Sequence, residues 1–145
     1  MAILYAHINK ITGEIYIGQT KRNKAENRWL NGEGYKTCQN KFYNAISLYG
    51  WDNFIHKIIE SDIPNDLIDD YETTYINYYN TVKRGYNSNL GKGKILNNIR
   101  IKSLPAIYFN DNNGILRTKR NLDKTANNIP LVKYYNDKNG ILRTL

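Results

Sequence analysis

The sequence predicts an α/β protein of the α+β kind: a three-stranded antiparallel sheet flanked by helices, then a basic appendage carrying a duplicated β-hairpin. Three observations lead there. Two short apolar runs near the N-terminus flank a turn-like "NKITGE", segments with helical apolar spacing surround one further apolar run, and a phrase at 107–118 returns at 133–144.

Ile3–Ile8 and Glu14–Gly18 read as the arms of a hairpin, with Asn9 and Gly13 suited to its turn. Asn23 followed by Glu26 has the form of a capping box, predicting a short helix through Trp29–Leu30 that stops at Gly32. "GEGYKTCQ" reads as a loop. Asn40–Tyr49 places Phe42, Ala45, Ile46 and Tyr49 at helical spacing, with Gly50 at its end. "NFIHKIIES" reads as a third strand, with Phe54 and Ile58 on one face and Ile55 and Ile59 offset. Pro64 suits the first turn of a helix from Asn65 to about Tyr79, whose stripe is Leu67/Ile68, Tyr71, Tyr75/Ile76 and Tyr79. "KRGYNSNLGKGK" reads as a flexible, glycine-rich connector without a phosphate-loop pattern.

Residues 1–91 thus read as one module and residues 92–145 as an appendage. In the appendage "IYFNDNNGILRT" recurs as "KYYNDKNGILRT", each copy an aromatic run, a turn and an apolar run. A lone hairpin is marginally stable, so the two are expected to pack on each other, on the first module or on a second chain. Charge divides at the same boundary. Residues 1–91 hold 10 Lys/Arg and 10 Asp/Glu, whereas residues 92–145 hold 11 Lys/Arg and three Asp/Glu, the whole of the +8 net charge. A basic surface so segregated points to a polyanionic partner.

Composition narrows the classes further. Cys38 is the single cysteine, which excludes an internal disulfide and a multi-cysteine zinc site. No apolar run approaches the ~18 residues of a membrane helix, and no signal-peptide pattern opens the chain, so an intracellular, cytoplasmic location is expected.

Several pieces taken together resemble a known family. "ILY" followed by "YIG", then "RW", "YGWDNF", "DYETTYINYYNT" and "RGYNSNLG" resemble the GIY-YIG nuclease superfamily in order and spacing, over about residues 3–91. Here Ile3 and Leu4 stand where the family has glycine and isoleucine. "RWLNGEG" offers Asn31 and Gly32 where many members carry a histidine. The resemblance implies hydrolysis of DNA phosphodiesters with one divalent ion, Mg²⁺ or Mn²⁺. Such chemistry needs an activated nucleophile, positive charge at the phosphate and stabilisation of the leaving oxygen.

Glu72, at the border of an apolar helix face, is either a solvent-facing glutamate or a metal ligand by pattern alone, and the family's metal-binding glutamate matches this place. Asp69 and Asp70 read as helix surface. Arg28 matches the family's catalytic arginine, and a guanidinium meets a phosphate with two parallel hydrogen bonds. Tyr5 and Tyr16 are expected to face each other across the hairpin. A phenol of pKa about 10 is a poor base unless a cation favours its anion, yet one of these tyrosines is the family's general base, and Tyr5 is preferred here. Asn87 resembles the family's site-orienting asparagine. His7, on the same strand face as Tyr5, is a candidate relay in place of the missing histidine, while His56 reads as structural. Gln19 and Lys21 are expected to touch the DNA backbone, and Arg117, Lys119, Arg120 and Arg143 to neutralise phosphates of duplex DNA.

The reading is a metal-dependent, site-specific endonuclease of restriction or homing type. One active site nicks one strand, so a homodimer is expected for a double-strand cut. The alternatives are a fold member with weak or absent catalysis that only binds DNA, and a structure-specific repair nuclease.

Overall fold

The structure, a computed structural model, describes the backbone of residues 1–110, 116–118, 133–136 and 142–144, and side chains through Ile107. The apolar runs form β1 (Ala2–Asn9) and β2 (Ile15–Thr20), and β3 (Phe54–Ile63) pairs with the other side of β1, giving an antiparallel sheet of order β2-β1-β3. The turn between β1 and β2 is closed by Asn9, whose Oδ1 accepts from the backbone N–H of Ile11 (2.8 Å) and Thr12 (3.2 Å).

Strand alternation gives the sheet two chemically different faces. Ala2, Leu4, Ala6 and Ile8, with Ile15 and Ile17, build an aliphatic core with Ile68, Tyr75 and Ile76 of α3 (Ile68–Tyr79). Tyr5 and Tyr16 point the other way, into an aromatic core with Trp29, Tyr35 and Phe42. Trp29 ends the one-turn α1 (Glu26–Trp29), and Phe42 lies on α2 (Asn40–Tyr49). β3 shifts register against β1 between Ala2 and Leu4 and again between Leu4 and Tyr5, and its Ile59 and Ile63 join the aliphatic core. Ile58 stands opposite Tyr5 but is 39 % exposed and belongs to neither core.

Three local expectations are corrected. The Asn23–Glu26 capping box does not form: Ala25 is the N-cap, buried, with no side-chain cap. The helix ends at Trp29, because Leu30, Asn31 and Gly32 all take positive φ (48°, 54° and 96°) before a 3₁₀ turn reaches Tyr35. Pro64 precedes α3 in a turn closed by Leu67 N–H on the Pro64 carbonyl (2.9 Å). A one-turn helix α4 (Thr81–Arg84) follows α3.

The glycine-rich stretch is no free hinge. Gly93 N–H donates to Thr73 Oγ1 (3.0 Å), Lys94 N–H to Asp70 Oδ1 (2.8 Å) and Leu96 N–H to Thr74 Oγ1 (2.8 Å), binding the chain along α3. Leu104 and Ile107 then enter the aliphatic core. Beyond it, β4 (Ile107–Asn110), β5 (Leu116–Thr118), β6 (Lys133–Asn136) and β7 (Leu142–Thr144) form a second antiparallel sheet of order β5-β4-β6-β7. The two hairpins join through their first strands, with Tyr108 opposite its repeat-equivalent Tyr134. Ile107↔Tyr135 and Phe109↔Lys133 are mirror pairings about that point, so the duplication is folded as a local two-fold.

Candidate active site

β2 is an edge strand, and its free edge is finished by a side chain. The Oδ1 of Asn87 accepts from Ile17 N–H (2.9 Å) and from Thr81 Oγ1 (2.8 Å), while its Nδ2 donates to the Ile17 carbonyl (2.8 Å). Both outward backbone groups of the residue between Tyr16 and Gly18 are thereby satisfied, which holds that stretch in place.

Tyr5 and Tyr16 face each other diagonally across the hairpin, on one face of the sheet. Tyr5 pairs with Gly18, and Tyr16 with His7. The two rings meet over Gly18, where an added Cβ would lie 2.6 Å from Cε1 of Tyr5 and 2.8 Å from Cε1 of Tyr16. Burial pushes Tyr5 up to about 12; the hydrogen bond from Tyr35 and the charge of Arg28 oppose this, and Glu72 adds to it. Tyr16 is also raised well above the usual phenol range, by burial first and then by Tyr5 and Glu72. The buried indole N–H of Trp29 has no partner among the described residues and lies near enough to Tyr5 to favour its anion. At pH 7 about one Tyr5 in 10⁵ is ionised, a cost of about 7 kcal/mol for a pre-formed phenolate.

Arg28 closes α1 with its guanidinium 4.6 Å over the Tyr35 ring, donating from Nη1 to the Gly34 carbonyl and from Nη2 to Cys38 Sγ (3.4 Å). A cation over a ring face is held in orientation without being neutralised.

Glu72 lies on the other face of the sheet, one helical turn from each of the buried Ile68 and Ile76. Burial, with the adjacent charge of Asp69, raises its carboxyl to about 7 against an opposing hydrogen bond from Gln19. Gln19 Nε2 also donates to Asp69 Oδ1 (2.6 Å), an exposed residue of the first turn of α3. A cleft of about 370 Å³ opens here, lined by Gln19, Lys21, Asp69, Glu72, Asn89 and Lys92 among others. Among the described residues, no group of three or more His, Cys, Asp or Glu gathers as a metal cage. A hard-oxygen carboxylate disfavoured as an anion by its surroundings, and standing apart from any cage, suits a Mg²⁺-like ion that keeps several waters.

Behind the tyrosines stands an aromatic network that sequence reasoning does not reveal. Tyr35, fully buried, places its hydroxyl 3.2 Å from that of Tyr5 and 2.8 Å from His7 Nε2. His7 Nδ1 lies 2.9 Å from Nδ1 of His56, and His56 Nε2 lies 3.2 Å from the Trp51 carbonyl. Burial holds His7 well below its usual range, with the charges of His56 and Arg28 adding to the effect. His56 is lowered to about 4, chiefly by burial. Tyr35 carries no periodic signal within "GEGYKTCQ", and only its being a lone aromatic among loop residues marks it.

The structure therefore gathers Tyr5, Tyr16, Arg28 and His7 on one side of the β2 edge and Gln19, Lys21 and Glu72 on the other, with Asn87 clamping the strand. Arg117 and Arg143 fall at equivalent places on β5 and β7. Lys119 and Arg120 lie outside the described residues.

The GIY-YIG catalytic domain family matches residues 1–87. Among solved structures, the chain is similar to the catalytic domain of the intron endonuclease I-TevI, an alanine variant, at 25 % identity and a TM-score of 0.54. That match covers 64 % of this chain and 99 % of that one. No curated protein matches the chain. The three-stranded sheet with its flanking helices, the ordered tyrosines, arginine and glutamate, and these two likenesses agree, and the chain belongs to the GIY-YIG family as an endodeoxyribonuclease.

Proposed function

We propose that this nuclease is dependent on Mg²⁺ or Mn²⁺, cuts at a specific site as restriction or homing enzymes do, and uses residues 92–145 to help recognise its DNA. The observation that carries the catalytic part is Glu72, a carboxylate raised to about 7 within a cleft that also holds Lys21 and Lys92. Glu72 would hold the ion, which when bound supplies charge that offsets the growing negative charge of the transition state.

The chain's own residues have separate tasks in this reading. Arg28 meets the phosphate by exchanging its hydrogen bonds to Gly34 and Cys38 for phosphate oxygens. Tyr5, as the phenolate that the charge of Arg28 favours, its own proton having gone to solvent, takes the proton of the attacking water, and Tyr16 shapes the wall beside it. Gln19 and Lys21, on the cleft rim, place the DNA backbone. Asn87 acts through Ile17 and holds the strand that bears Tyr16 and Gly18.

The basic appendage, with Arg117, Lys119, Arg120 and Arg143, adds phosphate contacts beyond the cleft. Two chains acting together would complete a double-strand cut.

The test is incubation of supercoiled plasmid with Mg²⁺ or Mn²⁺. The wild-type chain is expected to nick it, and Glu72→Ala to lose at least about 100-fold in rate while still binding the plasmid. Nicking that is indifferent to EDTA, or to Glu72→Ala, would remove the metal from the proposal. A preference for flaps or junctions over linear duplex would replace site-specific cutting with repair.

A further inference from the structure

We propose that the Tyr35 hydroxyl and the Trp29 indole N–H are the two donors of a hole that holds the Tyr5 phenolate, so that both act as positioning residues for the base. This deepens the reading of Tyr5 as the group that takes the proton of the attacking water, and rests on it.

The hydrogen bonds of the Tyr5 oxygen have definite senses. Tyr35 donates its hydroxyl to Tyr5 at 3.2 Å, and Tyr5 donates its own to the Gln19 carbonyl at 3.5 Å. A hydroxyl has one proton to give. With that of Tyr35 committed to Tyr5, the 2.8 Å contact between Tyr35 and His7 is an Nε2–H donating to the Tyr35 oxygen. Tyr35 is thus aimed from behind: it is fully buried, His7 donates to it, and Arg28 lies 4.6 Å over its ring. Burial first, then the Tyr5 anion and the bond to it, raise Tyr35 far above the usual phenol range, so Tyr35 keeps its proton and donates it.

The second donor has no partner while Tyr5 is neutral. Among the described residues, Trp29 Nε1 is the one buried side-chain nitrogen or oxygen left without a hydrogen bond. The Trp29 ring stands across that of Tyr5, with centroids 5.3 Å apart and planes at 78°, and its N–H is near enough to favour the Tyr5 anion. A buried donor left unpaired is costly, and its place beside a base gives it a chemical reason. It gains an acceptor when Tyr5 ionises.

Loss of the Tyr5 proton breaks only the long link to Gln19, which lies at the limit of a hydrogen bond. The phenolate, now purely an acceptor, keeps Tyr35 and takes up Trp29. Gln19 is itself a cleft residue, so the vacated side of the oxygen is the one where water's proton arrives. As the water oxygen bonds to phosphorus, its O–H bond breaks and the proton goes to the phenolate. The P–O bond to the leaving oxygen breaks with its electron pair on that oxygen.

The titratable groups around Tyr5 are Arg28 of α1, Tyr35 of the following turn, Tyr16 of β2, His7 of its own strand and Glu72 of α3, with His56 of β3 behind His7. Arg28 supports the anion and Glu72 opposes it. Tyr16 and Tyr35 are raised well above the usual phenol range, His7 is held well below its own and His56 is lowered to about 4, so all four stay neutral between about pH 7 and 10.

The experiment uses Cys38, the single cysteine, to join a synthetic segment 1–37 to residues 38–145. A difluorotyrosine in place of Tyr5, a more acidic phenol, brings the ionisation within reach, and its fluorine resonance reads the midpoint apart from activity. Tyr35→Phe removes one oxygen, and benzothienylalanine in place of Trp29 keeps the shape of the indole but lacks its N–H. Each full-length chain is checked for folding by near-ultraviolet circular dichroism. Either change is expected to raise the midpoint by about 1–2 pH units, which a merely structural role would not do. With tyrosine restored at position 5, either should slow single-turnover nicking at pH 7 about 10- to 100-fold, with DNA affinity within about twofold of wild type. An unmoved midpoint with either change overturns the two-donor hole, and beside a Tyr5→Phe that no longer nicks it leaves Tyr5 as the base. A Tyr5→Phe that nicks at the wild-type rate overturns the assignment of Tyr5 and the hole with it.

Discussion

His7 and His56 meet with their ring nitrogens 2.9 Å apart, and neither carries a second proton at neutral pH. In the unfolded chain both bind a proton near pH 6.5, whereas folded His56 does so only near pH 4 and His7 also well below 6.5. Between those values the unfolded state holds more protons, so this contribution to stability is whole above pH 6.5 and is lost on acidification. Glu72 works in the opposite sense, because its folded pKa of about 7 lies above the unfolded value of 4.5 and costs stability as pH rises between them. The two effects overlap and mask each other in the wild type. In Glu72→Gln the histidine effect stands alone, and the urea midpoint is expected to hold steady from about pH 8 to 7 and fall steadily from about 6.5 to 5. A flat midpoint in that variant would mean that the histidine pair is solvated and not held neutral. His7 is legible in the sequence as a relay candidate because it shares a strand face with Tyr5. The groups it contacts, Tyr35 and His56, come from a turn and a distant strand, and only the fold brings them together.

The edge of β2 is finished by the Asn87 side chain rather than by another strand. Asn87→Ala would leave Ile17 N–H and C=O, together with Thr81 Oγ1, without their partner in a buried place. At about 1–3 kcal/mol for each of these stranded groups, the variant is expected to lose at least about 3 kcal/mol in urea unfolding and to cleave slowly. A loss below about 1 kcal/mol would show that water replaces the amide without cost. Elements with strong apolar period are readable from sequence: β1, β2 and α2 fall within a residue or two of expectation, and α2 matches at both ends. α1 departs from expectation because Asn23 and Glu26 have the letters of a capping box while the chain there is held by burial of Ala25 and Trp29. The stretch after Gly91 departs from it because its glycines look like punctuation. Thr73 and Thr74, two polar residues inside the helix, are the signal that some backbone has to dock there.

At the scale of the whole chain, catalysis, packing and charge have different boundaries. Charge changes at residue 92, but the aliphatic core runs on through Leu104 and Ile107. Burying those two side chains contributes about 3–6 kcal/mol, a large part of the roughly 5–15 kcal/mol typical of a whole domain. A chain ending at 91 keeps every proposed catalytic residue yet is expected to be barely folded, while a chain ending at 107 should melt near the full-length temperature. The chain ending at 107 is also the informative one for DNA. It lacks seven of the 11 basic residues that follow position 91 but retains Lys92, Lys94, Arg100 and Lys102. Each phosphate that is no longer neutralised should reduce the slope of log affinity against log salt by about 0.9, so a drop of about two units or more is expected if the duplicated hairpins lie on the duplex. An unchanged slope would assign the phosphate contacts to those four residues and the cleft rim, and leave the hairpin sheet to some task other than binding the DNA backbone.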